Sequence, residues 1–189
     1  MQLQTKIFFS TKNRNKISEA RQILSEFKIQ VEPADIEKIE IQAEALEKIV
    51  IYALKQIKEK SKAIIVEDSG LFIEKLNGFP GSYSSFVFKK VGCDGILKLM
   101  EGEQIRKAEF VSVIGYKHGR QEMLFKEKSI GTISDIGAGK LGFGFDPIFI
   151  PKGYVKTFAQ MSLLEKNQLS HRGKAFRALG EWLQKTKYI

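Results

Sequence analysis

Two adjacent acids, Glu67 and Asp68, with Ser69 and Gly70 behind them, stand at the end of an apolar run from Ala63 to Val66. The run predicts a short strand buried on both faces. Carboxylates at the mouth of such a strand are costly to desolvate unless something cationic meets them. A metal ion is the usual partner, and a carboxylate beside a metal can also draw a proton from water. Far downstream lies a counterpart rich in glycine, aromatic and cationic residues: Gly142 to Pro147, then Lys166, then Ser170-His171-Arg172-Gly173-Lys174. One acidic pole and one cationic, aromatic pole suit a metal-bound organic polyanion, and a nucleotide fits that description.

A further candidate is the polar stretch Ser10-Thr11-Lys12-Asn13-Arg14-Asn15-Lys16, placed between a predicted strand and a predicted helix. Free N–H groups at a helix start, with hydroxyl, amide and lysine donors beside them, make an anion seat. The alternative is that Asn13 or Asn15 caps the helix and Lys16 sits in water. It is not a Walker A loop, because it holds no glycine. Gly137-Ala138-Gly139-Lys140-Leu141-Gly142 matches the dinucleotide pattern letter by letter, but late in the chain and with Pro147 close behind, so no helix is expected to follow it. Phe143 is placed either to stack on a base or to fill the core. Asp146 either shapes a turn or accepts from a ligand N–H. Three basic residues at a helix start, His171, Arg172 and Lys174, oppose the macrodipole, a local conflict that points to function. Two histidines and one cysteine leave zinc short of ligands, and no G-x-S-x-G elbow supports a Ser-His-Asp hydrolase.

These residues need elements to hold them. Strands are predicted at Lys6 to Ser10, Ile29 to Val31, Ala63 onward, Ala108 to Tyr116 and Met123 to Ile133, the last two paired antiparallel about Lys117 to Arg120. Helical stripes run from Lys16 to Phe27, Glu44 to Lys60 and Ile96 to Met100, with two more at the C-terminal end. Gly78 to Gly81 reads as a turn, with Ser82 or Ser84 as a cap for a following helix. Ser162 to Glu165 has the form of a capping box, and Ser170 is a cap for the last helix. Alternating strands and helices followed by hairpins predict an α/β fold with a mixed sheet.

The bulk properties set wide limits. With 189 residues, 43% hydrophobic and 28% charged, the chain is long enough to bury roughly 70% of its unfolded surface. No apolar run approaches the ~20 residues of a membrane span. The N-terminus shows no signal peptide, and the lone Cys93 excludes an internal disulfide, so a cytoplasmic protein is expected. The formal net charge of +9 suits anionic partners, nucleic acid included. Lysines such as Lys55, Lys58, Lys60 and Lys62, mixed with Glu47 and Glu59, also read as ordinary solvated helix faces. Arginine is scarce, and no specific nucleic-acid partner is expected.

Taken together, several motifs resemble the inosine/xanthosine triphosphate pyrophosphatases, a family that clears altered purine nucleotides. They are Thr11-x-Asn13-x-x-Lys16, Val66 to Leu71, Gly78 to Ser84, Gly142 to Phe149, Lys156 to Ala159, Glu165 to Asn167 and Ser170 to Ala175. They occur in the family's order and span nearly the whole chain, 1–189, as one domain. The chain departs from the family where Phe145 replaces a usual Tyr or Trp, Gln160 a usual Glu, and Lys12 a frequent glycine.

The resemblance implies an elongated mixed sheet flanked by helices, two lobes with the active-site cleft between them, and a homodimer. It implies a substrate-binding set of Thr11, Lys12, Asn13, Arg14, Asn15, Lys16, Ser69, Phe143, Gly144, Phe145, Asp146, Lys166, His171 and Arg172. Asp68 would be general base and ligand of magnesium, or of manganese in its place, with Glu40 as the second metal carboxylate. The implied reaction cleaves inosine, deoxyinosine or xanthosine triphosphate into a monophosphate and pyrophosphate. The rival readings are a basic nucleic-acid-binding protein without catalysis and a pyrophosphatase for other modified nucleotides.

Overall fold

The structure is a computed structural model that describes residues 5–36, 39 and 41–186. Elements run β1 (Thr5–Phe9), α1 (Arg14–Ser25), β2 (Ile29–Pro33), α2 (Leu46–Gln56), β3 (Ala63–Ile73), β4 (Pro80–Gly81), α3 (Ser84–Leu99), β5 (Lys107–His118), β6 (Gln121–Ile133), β7 (Phe149–Pro151), α4 (Leu163–Leu169) and α5 (His171–Thr186). The strands form a mixed sheet in the order β2-β1-β3-β5-β6-β7, with β4 paired to β3. β1 is parallel to β2 and β3, while β3, β5, β6 and β7 pair antiparallel. The expected mixed α/β sheet is therefore present.

Three apolar clusters hold it together. Ile7, Phe9, Ile65 and Ile114 pack on α1 and α5 through Ile23, Leu24, Phe176 and Leu179. On the other face Ile64, Val66 and Val113 meet Leu46, Val50 and Leu54 of α2. The third gathers Leu71, Ile73, Ile96, Phe145, Phe149 and Phe158 at the far end of the sheet.

The central strand is longer than the sequence reading. β3 does not stop at the acids; it continues through Glu67, Asp68, Ser69 and Gly70 to Ile73, paired with β5 from Ile64 to Ile73. On its other edge β1 pairs only as far as Ile65, and β4 pairs only at Leu71 and Phe72. The polar residues thus fill a mid-strand gap where the cleft opens. Gly70 is set by this crowding, since a Cβ there would overlap the Gly81 carbonyl.

Other differences are local. The helix expected at Ile96 to Met100 is the second half of α3, which is interrupted at Gly92. Neither Ser82 nor Ser84 caps it: Tyr83 holds the cap position, and Ser84 Oγ instead accepts from the Leu71 N–H and donates to the Gly81 carbonyl. The Gly137–Gly142 segment is irregular coil, followed by a single 3-10 turn at Asp146–Ile148 and, as expected, by no α-helix that it could open. The capping box at Ser162 and Glu165 is present, and Ser170 Oγ accepts the Gly173 N–H at the start of α5.

Candidate active-site cleft

A cleft of about 1340 Å³ runs across the sheet between the β1–α1 turn, the mid-strand gap of β3 and the first turns of α3. Thr11, Lys12, Asn13, Lys16, Asp68, Ser69, Phe143, Gly144, Phe145, Asp146, Lys166, His171 and Arg172 all line it. Arg14 and Asn15, also expected in the site, are exposed in the first turn of α1 and are not among its lining. Glu40 lies outside the described residues.

The β1–α1 turn is an Asn-capped helix start. Asn13 Oδ1 accepts from the N–H groups of Asn15 (3.0 Å) and Lys16 (3.3 Å), and Thr11 Oγ1 accepts from the Asn13 N–H (3.2 Å). Asn13 therefore caps the helix, as in the alternative reading, and takes two of the N–H groups at its start. The donors that the turn still offers an anion include the Asn13 side-chain amide and the Lys16 ammonium. Lys12 pairs with Asp35 at 3.4 Å, both about four-fifths or more exposed, so that bridge contributes little.

Strand alternation separates the two acids. Glu67 shares its face with Ile65 and Ser69, toward α1 and α5, and its side chain is wholly buried. Asp68 projects to the face of Ile64 and Val66, beside α2. The pair therefore does not meet one cation jointly. Glu67 is already engaged: Oε1 accepts from Arg172 Nε (3.1 Å) and Ser112 Oγ (2.8 Å), while Oε2 faces Lys16 Nζ at 2.8 Å. Lys16 Nζ also donates to the Glu67 backbone carbonyl at 3.5 Å. Burial pushes the Glu67 carboxyl up, yet Arg172 and Lys16 outweigh it and hold the group well below the usual range. Asp68 is half-buried in the cleft, and its Oδ1 accepts the Ser69 N–H at 3.0 Å.

The opposite wall is a buried ionic network. Lys166 donates to Glu19 Oε1 (2.8 Å) and Asp146 Oδ2 (2.6 Å). Arg172 donates to Glu19 Oε2 (2.6 Å), Glu67 Oε1 and Ser69 Oγ (2.7 Å). Three cations, Lys16, Lys166 and Arg172, thus face three carboxylates, Glu19, Glu67 and Asp146. For Glu19 burial opposes ionisation, but Arg172 and Lys166 hold its carboxyl low; for Asp146 burial prevails over Lys166 and raises it. By donor count, Lys166 keeps one N–H and Arg172 two beyond these bonds. Phe143 covers both cations, its ring centre 4.7 Å from Lys166 Nζ and 5.3 Å from Arg172 Cζ. It is half-buried at the cleft, whereas Phe145 is a core residue set edge-on against Phe88.

The conflict at the start of α5 resolves here. Arg172 is neutralised by Glu19 and Glu67. Burial, with Arg172 beside it, holds His171 well below the usual histidine value, so its ring is neutral at pH 7, stacked on Phe110 with Nδ1 unpartnered. Gly173 is required where α4 meets α5, since a Cβ would overlap the Asn167 carbonyl.

Sequence reasoning missed Glu19, Ser112 and Lys89. Glu19 interrupts a helical stripe beside Ala20 and Ile23, a visible anomaly. Lys89, on α3, lines the cleft from the far wall and carried no signal that set it apart from other lysines.

An α/β protein with a capped helix start at one end of a cleft and a buried donor wall at the other can hold an elongated ligand that is anionic at one end and flat at the other. The model of the Ham1 family matches residues 7–182, and the chain belongs to that family. It is 48% identical to the dITP/XTP pyrophosphatase of Methanopyrus kandleri over 94% of this chain and 95% of that one. It is 49% identical to the dITP/XTP pyrophosphatase of Pyrococcus horikoshii, over 95% of this chain and 97% of that one. Among solved structures it resembles the Ham1 protein of Staphylococcus aureus, with a TM-score of 0.82 and 29% identity over 96% of this chain and all of that one.

Proposed function

We propose that this protein is a nucleoside-triphosphate pyrophosphatase that hydrolyses deoxyinosine, inosine and xanthosine triphosphates to the monophosphate and pyrophosphate. The observation that carries the reading is one continuous cleft joining the Asn13–Lys16 turn, the Asp68 strand and the Lys166–Arg172 wall. The names of the two relatives, each matched over nearly its full length, support it.

The phosphates lie toward Thr11, Asn13 and Lys16, where the ammonium offsets charge on the departing pyrophosphate. Asp68 takes the proton of the attacking water. At the other end the 6-keto oxygen of hypoxanthine or xanthine accepts an N–H left over on Arg172 or Lys166. Adenine presents an amino group there, so donor meets donor, and an unpaired buried donor costs ~1–3 kcal/mol.

No group of three or more metal-binding side chains gathers among the described residues. Magnesium does not need one, because it retains waters and takes one or two carboxylates together with substrate phosphate oxygens. Asp68 offers such a hard oxygen donor within the cleft, and the resemblance adds Glu40; manganese suits the same donors. Bound there, the ion would neutralise phosphate charge. A homodimer belongs to the same proposal, supported by the exposed aromatic residues Phe79, Tyr83 and Phe86. No helix among the described residues is long and apolar enough to cross a membrane.

The test is a panel of inosine, xanthosine, adenosine, guanosine and modified pyrimidine triphosphates with magnesium, read for pyrophosphate against orthophosphate. Pyrophosphate from the inosine and xanthosine substrates is expected; orthophosphate alone would refute the reading. Asp68→Asn should fold normally and turn over ~10²–10⁴-fold more slowly, and near-native turnover would remove it as the base.

A further inference from the structure

Glu67 is the point at which the two ends of the cleft touch. Its carboxylate is divided between them: Oε1 holds Arg172 at 3.1 Å, Oε2 faces Lys16 at 2.8 Å, and Ser112 Oγ fixes its plane from β5. Among the described residues no other carboxylate bridges the cation of the β1–α1 turn to one of the buried wall. The contact to Arg172 is an aligned hydrogen bond, while Lys16 faces Oε2 and also donates to the Glu67 backbone carbonyl at 3.5 Å, so that one of the ammonium's three donors is left for a third party.

A phosphate arriving at Lys16 competes with Glu67 for that ammonium. The buried carboxylate, part of its compensation withdrawn, then pulls harder on Arg172. Arg172 is also held by Glu19 and Ser69, so a stronger pull at Nε fixes its plane and aims the two uncommitted N–H groups. A ligand edge that needs those donors meets a better organised partner. By thermodynamic reciprocity the purine must tighten phosphate by the same factor.

We propose that Glu67 is a positioning residue that couples the phosphate and purine ends of the cleft, so that filling one tightens the other. The proposal rests on the assignment of the cleft under Proposed function, and the experiment separates the two. Calorimetric titration of the full chain with inosine, with and without saturating inorganic pyrophosphate, reads the coupling with no direct repulsion between a neutral nucleoside and an anion. Pyrophosphate should tighten inosine by on the order of fivefold or more. The factor should fall to one in Glu67→Gln, which lacks the charge. It should also fall to one in Glu67→Asp, which keeps the charge but is a methylene too short to reach both cations. A carboxylate that only stabilised the fold would lower the melting temperature of these variants and leave the factor intact. Inosine binding that ignores pyrophosphate in the wild type, or a factor undiminished in both variants, overturns the proposal while leaving the cleft assignment standing. Failure of both probes to bind singly would overturn the two together.

Discussion

The two ends of the cleft are built on different principles. The β1–α1 turn is exposed and organises itself with side-chain bonds spanning two or three residues. The opposite wall is buried, and its bonds join residues from 20 to 153 positions apart. The turn is a local motif that any strand-to-helix junction of that sequence can form. The wall exists only once α1, β3, α4 and α5 are packed, and its charges are tolerable only as a complete set.

That contrast sets the largest predicted effect. Lys166→Met leaves Asp146 buried without its cation and Glu19 with Arg172 alone, and should cost about 3–5 kcal/mol, read from the denaturant midpoint. Lys12→Ala, at an exposed pair on the turn, should leave that midpoint unchanged. Equal losses in both would erase the distinction.

Arg172 sharpens the comparison. Its removal would strip Glu19 and Glu67 of a counter-ion, so Arg172→Ala mixes stability with recognition. Arg172→Lys keeps the charge and loses the planar fork. It should lower the preference for inosine over adenosine triphosphate by about 1–3 kcal/mol in kcat/KM, and an unchanged ratio would take Arg172 out of base readout.

A smaller effect follows from His171, buried neutral. Its folded value lies below the unfolded value of about 6.5. Below that pH the unfolded chain binds a proton that the folded chain refuses, so stability is present above it and falls on acidification by up to about 1.4 kcal/mol per pH unit. Melting temperatures from pH 7 to pH 5 should show the decline, and His171→Asn should flatten it. Equal slopes in both proteins would place the titration elsewhere.

The same contrast explains what was legible in the sequence. β5 and β6, with their long patterned runs, were read to within a few residues of their ends. The β1–α1 turn, the capping box at Ser162 and the irregular Gly137–Gly142 segment declared themselves through local chemistry. The full length of β3 is hidden because Glu67-Asp68-Ser69-Gly70 looks like a strand end, when the strand edge is open there only because β1 leaves and β4 has not yet arrived. For the same reason Glu67 and Asp68 looked like one acidic cluster, while alternation sends them to opposite faces. Glu19 was overlooked because its partners lie about 150 residues away, a distance no spacing rule spans.

A crystal structure of the wild-type chain with an α,β-imido analogue of inosine triphosphate and magnesium would put the proposed orientation to the sharpest test. Phosphates against Asn13 and Lys16, with the purine between Phe143 and the Lys166–Arg172 wall, is the predicted result. A ligand lying the other way round, or bound outside this cleft, would contradict it.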